Sequence, residues 1–143
     1  MKKKLGQILL VAPVFASLTT KHYGNFYLSY QIAKAAKELD QHRSFYVNEE
    51  RKIVETYAIK DEKTKQVKII DGNQISFKNQ DDAIAFNKEI NELHNMEVEV
   101  FEPFEIKVSD LTKGDANLTP QEILLLEDFV EFVDDEHSDA KEA

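Results

Sequence analysis

The sequence predicts one α+β domain. A long spine helix packs against further helices and against a small antiparallel sheet formed by a β-hairpin and a strand. The 143 residues suit a single domain. Apolar residues recur from Phe26 onward at spacings of three, four and seven, as in an amphipathic helix. Asp71-Gly72 separates two short apolar stretches, as in a hairpin. We expect the domain to span residues 1–134, followed by a disordered acidic tail at residues 135–143.

The first twenty residues, MKKKLGQILLVAPVFASLTT, have two interpretations. Three lysines, an apolar run and the small residues Val14 and Ala16 before Ser17 are typical of a secretory signal peptide. Alternatively, the segment is a short helix of the domain, because apolar residues recur at spacings of three and four. These residues are Leu5, Ile8, Leu9, Ala12 and Phe15. We favour the helix, which Pro13 should kink or end early, since Gln7 and Pro13 interrupt the apolar run.

The spine helix is expected from Phe26 to about residue 60, with Asn25 as its N-cap. Polar residues near His42 leave two possibilities, one continuous helix or a break at that point. Five tyrosines lie on or beside it, and we expect most of them in the core rather than at an interface. The apolar stripe of this helix is Leu28, Ile32, Ala35, Leu39, Tyr46, Ile53 and Tyr57.

The hairpin and a second helix follow the spine. Asp71-Gly72 tolerates a two-residue turn between Val67/Ile69 and Ile75/Phe77. The apolar face of the hairpin should lie on the helices, because an isolated hairpin is marginally stable in water. The second helix begins at residues 79–82, where acidic side chains favour a helix N-terminus. Its buried stripe is expected to be Ala83, Phe86, Ile90 and Leu93.

A strand region and a C-terminal helix complete the domain. Apolar residues alternate with charged ones from Val98 to Val108, and Pro103 marks a break or an edge. Thr119, Pro120 and Glu122 form an N-cap, a first helical residue and a capping-box acid. The helix that they begin is apolar on more than one face. Its apolar residues are Ile123, Leu124, Leu125, Leu126, Phe129, Val130, Phe132 and Val133.

Charge is distributed unevenly. The net charge is +5 over residues 1–60, −2 over residues 61–96 and −12 over residues 97–143, within a total of −9. This polarity is either neutralised within the fold or presents an acidic face to a basic partner. Direct nucleic-acid binding is not expected, because it requires a basic surface.

Residue patterns of catalysis are missing from the sequence. The chain contains no Cys, which excludes disulfides and thiolate chemistry, and its four Gly form no phosphate-binding loop. The four His lack the spacing of metal ligands. We therefore expect no enzyme activity, no cofactor and no metal. The apolar runs are too short to span a bilayer, so no membrane partner is expected.

Three motifs carry a resemblance: YAIKDE at Tyr57–Glu62, FNKE at Phe86–Glu89 and EVEV at Glu97–Val100. With the later segment LTPQEILLLEDFVEF, they resemble a family of small uncharacterised proteins encoded by tailed phages and prophages of Gram-positive bacteria. The resemblance implies a long helix, a hairpin, a helix, a strand and a short acidic C-terminal helix. It implies no catalytic residues, and it is weaker over the first 25 residues.

These features lead us to expect a phage-encoded acidic protein in the host cytoplasm that acts by binding another protein. Inhibition of a host nucleic-acid-binding or defence protein is one such role. The alternative is a structural or assembly component of the phage particle that self-associates; a secreted protein would follow from a signal peptide. The candidate binding residues combine apolar side chains with an acidic rim: Glu127, Asp128, Phe129, Glu131, Phe132, Asp134 and Asp135.

Overall fold

A computed structural model describes residues 1–60, 69–70 and 74–134. The fold class is α+β, as predicted. In chain order the elements are β1 (Lys2–Lys4), α1 (Leu5–Leu18), α2 (Phe26–Tyr57), β2 (Ile69–Ile70), β3 (Gln74–Ile75), α3 (Gln80–Asn95), β4 (Glu97–Glu99), β5 (Phe104–Lys107), α4 (Val108–Lys113), α5 (Pro120–Glu127) and β6 (Val130–Val133).

Helix α1 lies at the centre of the domain, where it contacts α2, α3 and α5. The expectation of an N-terminal helix is confirmed. Pro13 does not end this helix, which continues to Leu18. Proline has no N–H to donate to the carbonyl oxygen four residues earlier. Because Pro13 is exposed, water can donate a hydrogen bond to that carbonyl oxygen instead. The buried residues of α1 are Leu5, Ile8, Val11, Ala12, Val14, Phe15 and Leu18.

Helix α2 is one continuous helix, without a break at His42. Asn25 caps it as predicted, because its side-chain oxygen accepts a 3.2 Å hydrogen bond from the Leu28 amide. A ring nitrogen of His42 lies 3.2 Å from the Glu99 carbonyl oxygen, which ties the middle of the helix to β4. The buried residues of α2 all belong to the predicted stripe: Leu28, Ile32, Ala35, Leu39 and Tyr46.

Among the described residues the strands form three separate two-stranded sheets, which differs from the single sheet that we predicted. In the part of the chain that the structure describes, the hairpin strands β2 and β3 pair with each other and with no third strand. The predicted turn Asp71-Gly72 and Val67 lie outside that part. Phe77 joins the hairpin to the helices through a bridge to Ala58 and a ring contact of 5.0 Å with Phe86. The strands that the structure describes after α3 do not pair with the hairpin. Strand β4 pairs antiparallel with β1, and β5 pairs parallel with β6.

The C-terminal helix is shorter than predicted. Helix α5 begins with the predicted capping box, in which the Thr119 amide donates to Glu122 at 3.0 Å and the Glu122 amide donates to Thr119 at 3.2 Å. It ends at Glu127, and the segment that we assigned to its last turns forms β6 instead. Two valines favour the strand conformation there. Val108 likewise begins α4 rather than extending β5, although the alternation of apolar and charged residues continues as far as Val108.

Two buried tyrosines make the stability of the fold sensitive to alkaline pH. Tyr23 is 1% exposed and donates a 2.7 Å hydrogen bond to the Leu18 carbonyl oxygen, and Tyr46 is 4% exposed. Burial raises the pKa of both tyrosines to about 12, with a further contribution at Tyr46 from the charge of Glu50. The folded state therefore favours the protonated form more than the unfolded state does.

We expect the free energy of unfolding to fall as pH rises from about 10, the usual pKa of tyrosine, towards 12. Urea unfolding at several pH values, with tyrosinate absorbance recorded in parallel, would measure this loss. In the double variant Tyr23→Phe, Tyr46→Phe, the decline in this pH interval should be smaller. An equally steep decline in that variant would assign the effect to other groups.

Candidate functional site

An apolar groove lies where α4, α5 and β6 meet. It has a volume of about 320 Å³ and is bordered by Glu127. We call it the C-terminal groove. Six apolar side chains form its walls: Val108, Leu111, Ala116, Leu118, Ile123 and Phe132.

The chain builds this groove from three consecutive elements. The capping box at Thr119 and Glu122 fixes the start of α5, and the β5–β6 pairing places Phe132 beside Ile106. Val108 and Ile123 remain 47% and 37% exposed, so apolar surface is left in contact with water. Such surface in a concave site is typical of a binding surface.

The rim that α5 and β6 contribute to the C-terminal groove is acidic, whereas Lys107 and Lys113 flank its α4 wall. Residues 114–134 contain six Asp and Glu and no Lys or Arg. In the β5–β6 pair, Glu105 lies directly opposite Glu131, and both are exposed. Like charges in this arrangement are destabilising. A basic partner would relieve that repulsion.

Three glutamates before the C-terminal groove, Glu97, Glu99 and Glu102, lie close to basic groups of the same chain. The Met1 ammonium lies 2.7 Å from a Glu102 carboxylate oxygen and 3.5 Å from one of Glu99. The hydrogen bond to Glu102 is the main cause that raises the pKa of this ammonium above its usual value. Two lysines of β1 lie opposite glutamates of β4. The charge polarity of the chain is thus partly neutralised at β1–β4, whereas in the β5–β6 pair Glu105 lies opposite Glu131 and the single lysine, Lys107, lies opposite Val133.

Six of the seven predicted binding residues divide into three groups. Glu127 and Phe132 line the C-terminal groove. Asp128, Glu131 and Asp134 are exposed, and Asp135 lies outside the described residues.

Phe129 belongs to the core rather than to a binding surface, which corrects its assignment. It is 1% exposed, and its ring lies 6.2 Å from Phe101 and 6.3 Å from Phe15. The ammonium of Lys3 lies 5.2 Å from its ring centre, within the range of a cation–π interaction. Phe129 cannot contact a partner while the domain is folded.

Sequence reasoning missed two features of the surface. It did not assign the α4 walls of the groove, Val108 and Leu111, because a six-residue helix is too short to show a helical period. It also did not single out Tyr27 and Tyr30 from the five tyrosines. These two are 73% and 65% exposed, next to Phe26 at 88%. A helical wheel of α2 would have placed them away from the buried stripe.

The chain matches no protein-family model, and no curated protein or solved structure is significantly similar to it. Within residues 1–60, 69–70 and 74–134, no three His, Asp or Glu side chains are grouped so that they could hold a metal ion. In the same part of the chain, no helix combines the length and hydropathy needed to cross a bilayer.

Proposed function

We propose that this is a small acidic, phage-encoded protein that binds a basic protein partner through the C-terminal groove, without catalysis, in the cytoplasm of the host cell. The observation that supports the proposal is an apolar groove beside a 21-residue stretch, residues 114–134, with six carboxylates and no basic side chain. The phage origin rests on the resemblance of the sequence motifs.

The expected partner segment is a basic amphipathic helix. Its apolar side chains would enter the groove beside Leu118, Ile123 and Phe132, where they lose contact with water. Its Lys and Arg residues would lie over Glu127, which lines the groove, and within reach of Glu131, whose side chain points to the other face of β6 from Phe132. Charges at such a rim contribute mainly to association rate and specificity, while burial of the apolar groups provides most of the affinity.

A host nucleic-acid-binding or defence protein is the partner class that we favour. Proteins that bind nucleic acid present Lys and Arg to phosphates, and an acidic surface can occupy the same residues. The alternative is an assembly component of the phage particle that self-associates. The negative charge of this part of the chain favours it less. A symmetric contact through this groove would bring two acidic rims together.

Charge reversal at the rim tests the proposal. We expect the double variant Glu127→Lys, Glu131→Lys to bind a synthetic amphipathic helix of leucine and lysine about tenfold or more weakly than the original chain, because attraction becomes repulsion. Isothermal titration calorimetry at about 50 mM and about 500 mM NaCl would measure this, and binding to the original chain should weaken at the higher salt.

The matched control is Glu55→Lys, Glu92→Lys, which makes the same change in net charge at exposed residues of α2 and α3. The control should retain most of the affinity at each salt concentration. An equal loss in both double variants would show that the peptide responds to net charge and not to the groove. Native mass at both salt concentrations should be that of a monomer, and a stable oligomer at both would favour the assembly role.

A further inference from the structure

A second groove runs along α2, on the side that faces residues 99–107. It consists of three adjoining cavities of about 310, 240 and 730 Å³. Tyr27 lines the first two and Tyr30 lines the last two, so the cavities form one continuous depression, which we call the α2 groove. It extends from Asn25 to His42, about 26 Å at the rise of an α-helix. That length accommodates about eight residues of extended chain.

An edge of β5 borders this groove. Phe104 lines the 240 Å³ cavity, and Glu105 and Lys107 line the 310 Å³ cavity. Successive side chains of a strand point to opposite faces, and here the two faces line two adjoining cavities, which is the arrangement expected when the strand edge is turned towards α2. Within the described residues, β5 pairs with β6 alone. The edge of β5 that faces α2 is therefore not paired with another strand in this part of the chain.

Exposed aromatic side chains lie along the other wall. Tyr27 and Tyr30, which line these cavities, are 73% and 65% exposed, and the side-chain amide of Gln31 donates to the Tyr27 hydroxyl at 3.4 Å. Exposed Tyr and Phe with few rotatable bonds are typical of surfaces that bind peptides and proteins. A strand placed beside β5 would cover these rings.

Charge in the groove is uneven. The 310 Å³ cavity is lined by two carboxylates, Glu105 and Asp110, and one ammonium, Lys107. Asp110 is 8% exposed and accepts a 3.4 Å hydrogen bond from Asn25. The 240 Å³ cavity combines the apolar surface of Ala35, Phe101 and Phe104 with the charged side chains of Lys34, Glu38 and Glu102.

We propose that the α2 groove binds an extended segment of a partner protein, which adds to β5 as a third strand. Its backbone hydrogen-bonds the free edge of β5, an apolar side chain enters the cavity over Phe101 and Phe104, and a basic side chain lies near Glu105 and Asp110. This mode of recognition is β-strand addition, in which backbone hydrogen bonds give affinity and pockets for alternate side chains give specificity. It does not depend on the function proposed for the C-terminal groove.

Peptide selection tests this inference. A displayed random library of linear peptides of about eight residues is selected on the original chain and counter-selected on the double variant Tyr27→Ala, Tyr30→Ala. Both tyrosines are exposed, so this variant should fold. We expect surviving peptides to have alternating apolar residues and one basic residue. The corresponding synthetic peptide should lose at least about tenfold in affinity for the double variant, and none for Leu124→Ala at an exposed residue of α5.

The backbone role is tested by methylating each amide nitrogen of the selected peptide in turn. Strand addition predicts loss of binding at every second residue only, because alternate amides point away from β5. If no peptide survives counter-selection, or if methylation acts without this alternation, the inference is wrong. A dimer of the original chain that Tyr30→Ala dissociates would also overturn it, since the groove would then hold a second copy.

Discussion

A chain that begins at Ser17 should lack cooperative unfolding. It would lose β1 and six of the buried residues of α1, the helix that contacts α2, α3 and α5. Removal of these side chains leaves the apolar stripes of three helices without their common partner, and hydrophobic burial is the main favourable term in folding. Circular dichroism and urea unfolding would show a broad, non-cooperative transition in place of a cooperative one.

A chain that ends at Asp134 is the control, because residues 135–143 contain no large apolar side chain whose burial could stabilise the domain. Its free energy of unfolding should equal that of the full chain. Cooperative unfolding of the chain that begins at Ser17 would contradict the central position of α1. It would also favour the signal-peptide interpretation, under which residues 1–16 are dispensable for the fold.

Phe15→Ala should cost about 3–5 kcal/mol in free energy of unfolding, the usual range for a large aromatic residue in a core. Phe15 is 0% exposed, and its ring makes edge contacts with Phe101 at 5.8 Å and with Phe129 at 6.3 Å. The substitution leaves a cavity between α1 and the two rings. Urea unfolding at neutral pH would measure the difference.

Phe26→Ala is the matched control, since the same side chain is removed from a position that is 88% exposed. Its effect on the free energy of unfolding should lie within about 0.5 kcal/mol. Comparable losses in the two variants would mean that Phe26 is covered in the folded protein and that Phe15 is not the centre of its core.

The helices were predictable because their signals are local. The stripe of α2 and its Asn25 cap depend on residues within a few turns of each other, and the same holds for the capping box of α5. Strand pairing depends on residues far apart in sequence. Three lysines have low strand propensity, so β1 was not predicted. It forms because glutamates of β4, about 95 residues later in the sequence, lie opposite two of these lysines.

The candidate site was predictable only in part. Composition located the acidic rim, because six carboxylates without a basic residue are visible in the sequence. The assignment of Phe129 was wrong because the apolar residues after Ile123 belong to a helix and then a strand, so a single helical period could not separate buried from exposed groups. The partial exposure of Val108 follows from the start of α4 directly after β5.

The two interpretations of the first twenty residues illustrate a related difficulty. A signal peptide and a buried N-terminal helix share an apolar composition, and the residue spacing separates them poorly. The fold places this helix at the centre of the core, which hydropathy cannot reveal.

Titration of ¹⁵N-labelled protein with the leucine–lysine helix would show whether a basic amphipathic partner binds in the C-terminal groove. We predict amide shift changes concentrated at Leu111, Leu118, Ile123 and Phe132, with weak or no changes in α3. Shift changes confined to α2 or α3 would contradict binding in the C-terminal groove. So would the absence of shift changes at peptide concentrations where calorimetry detects binding.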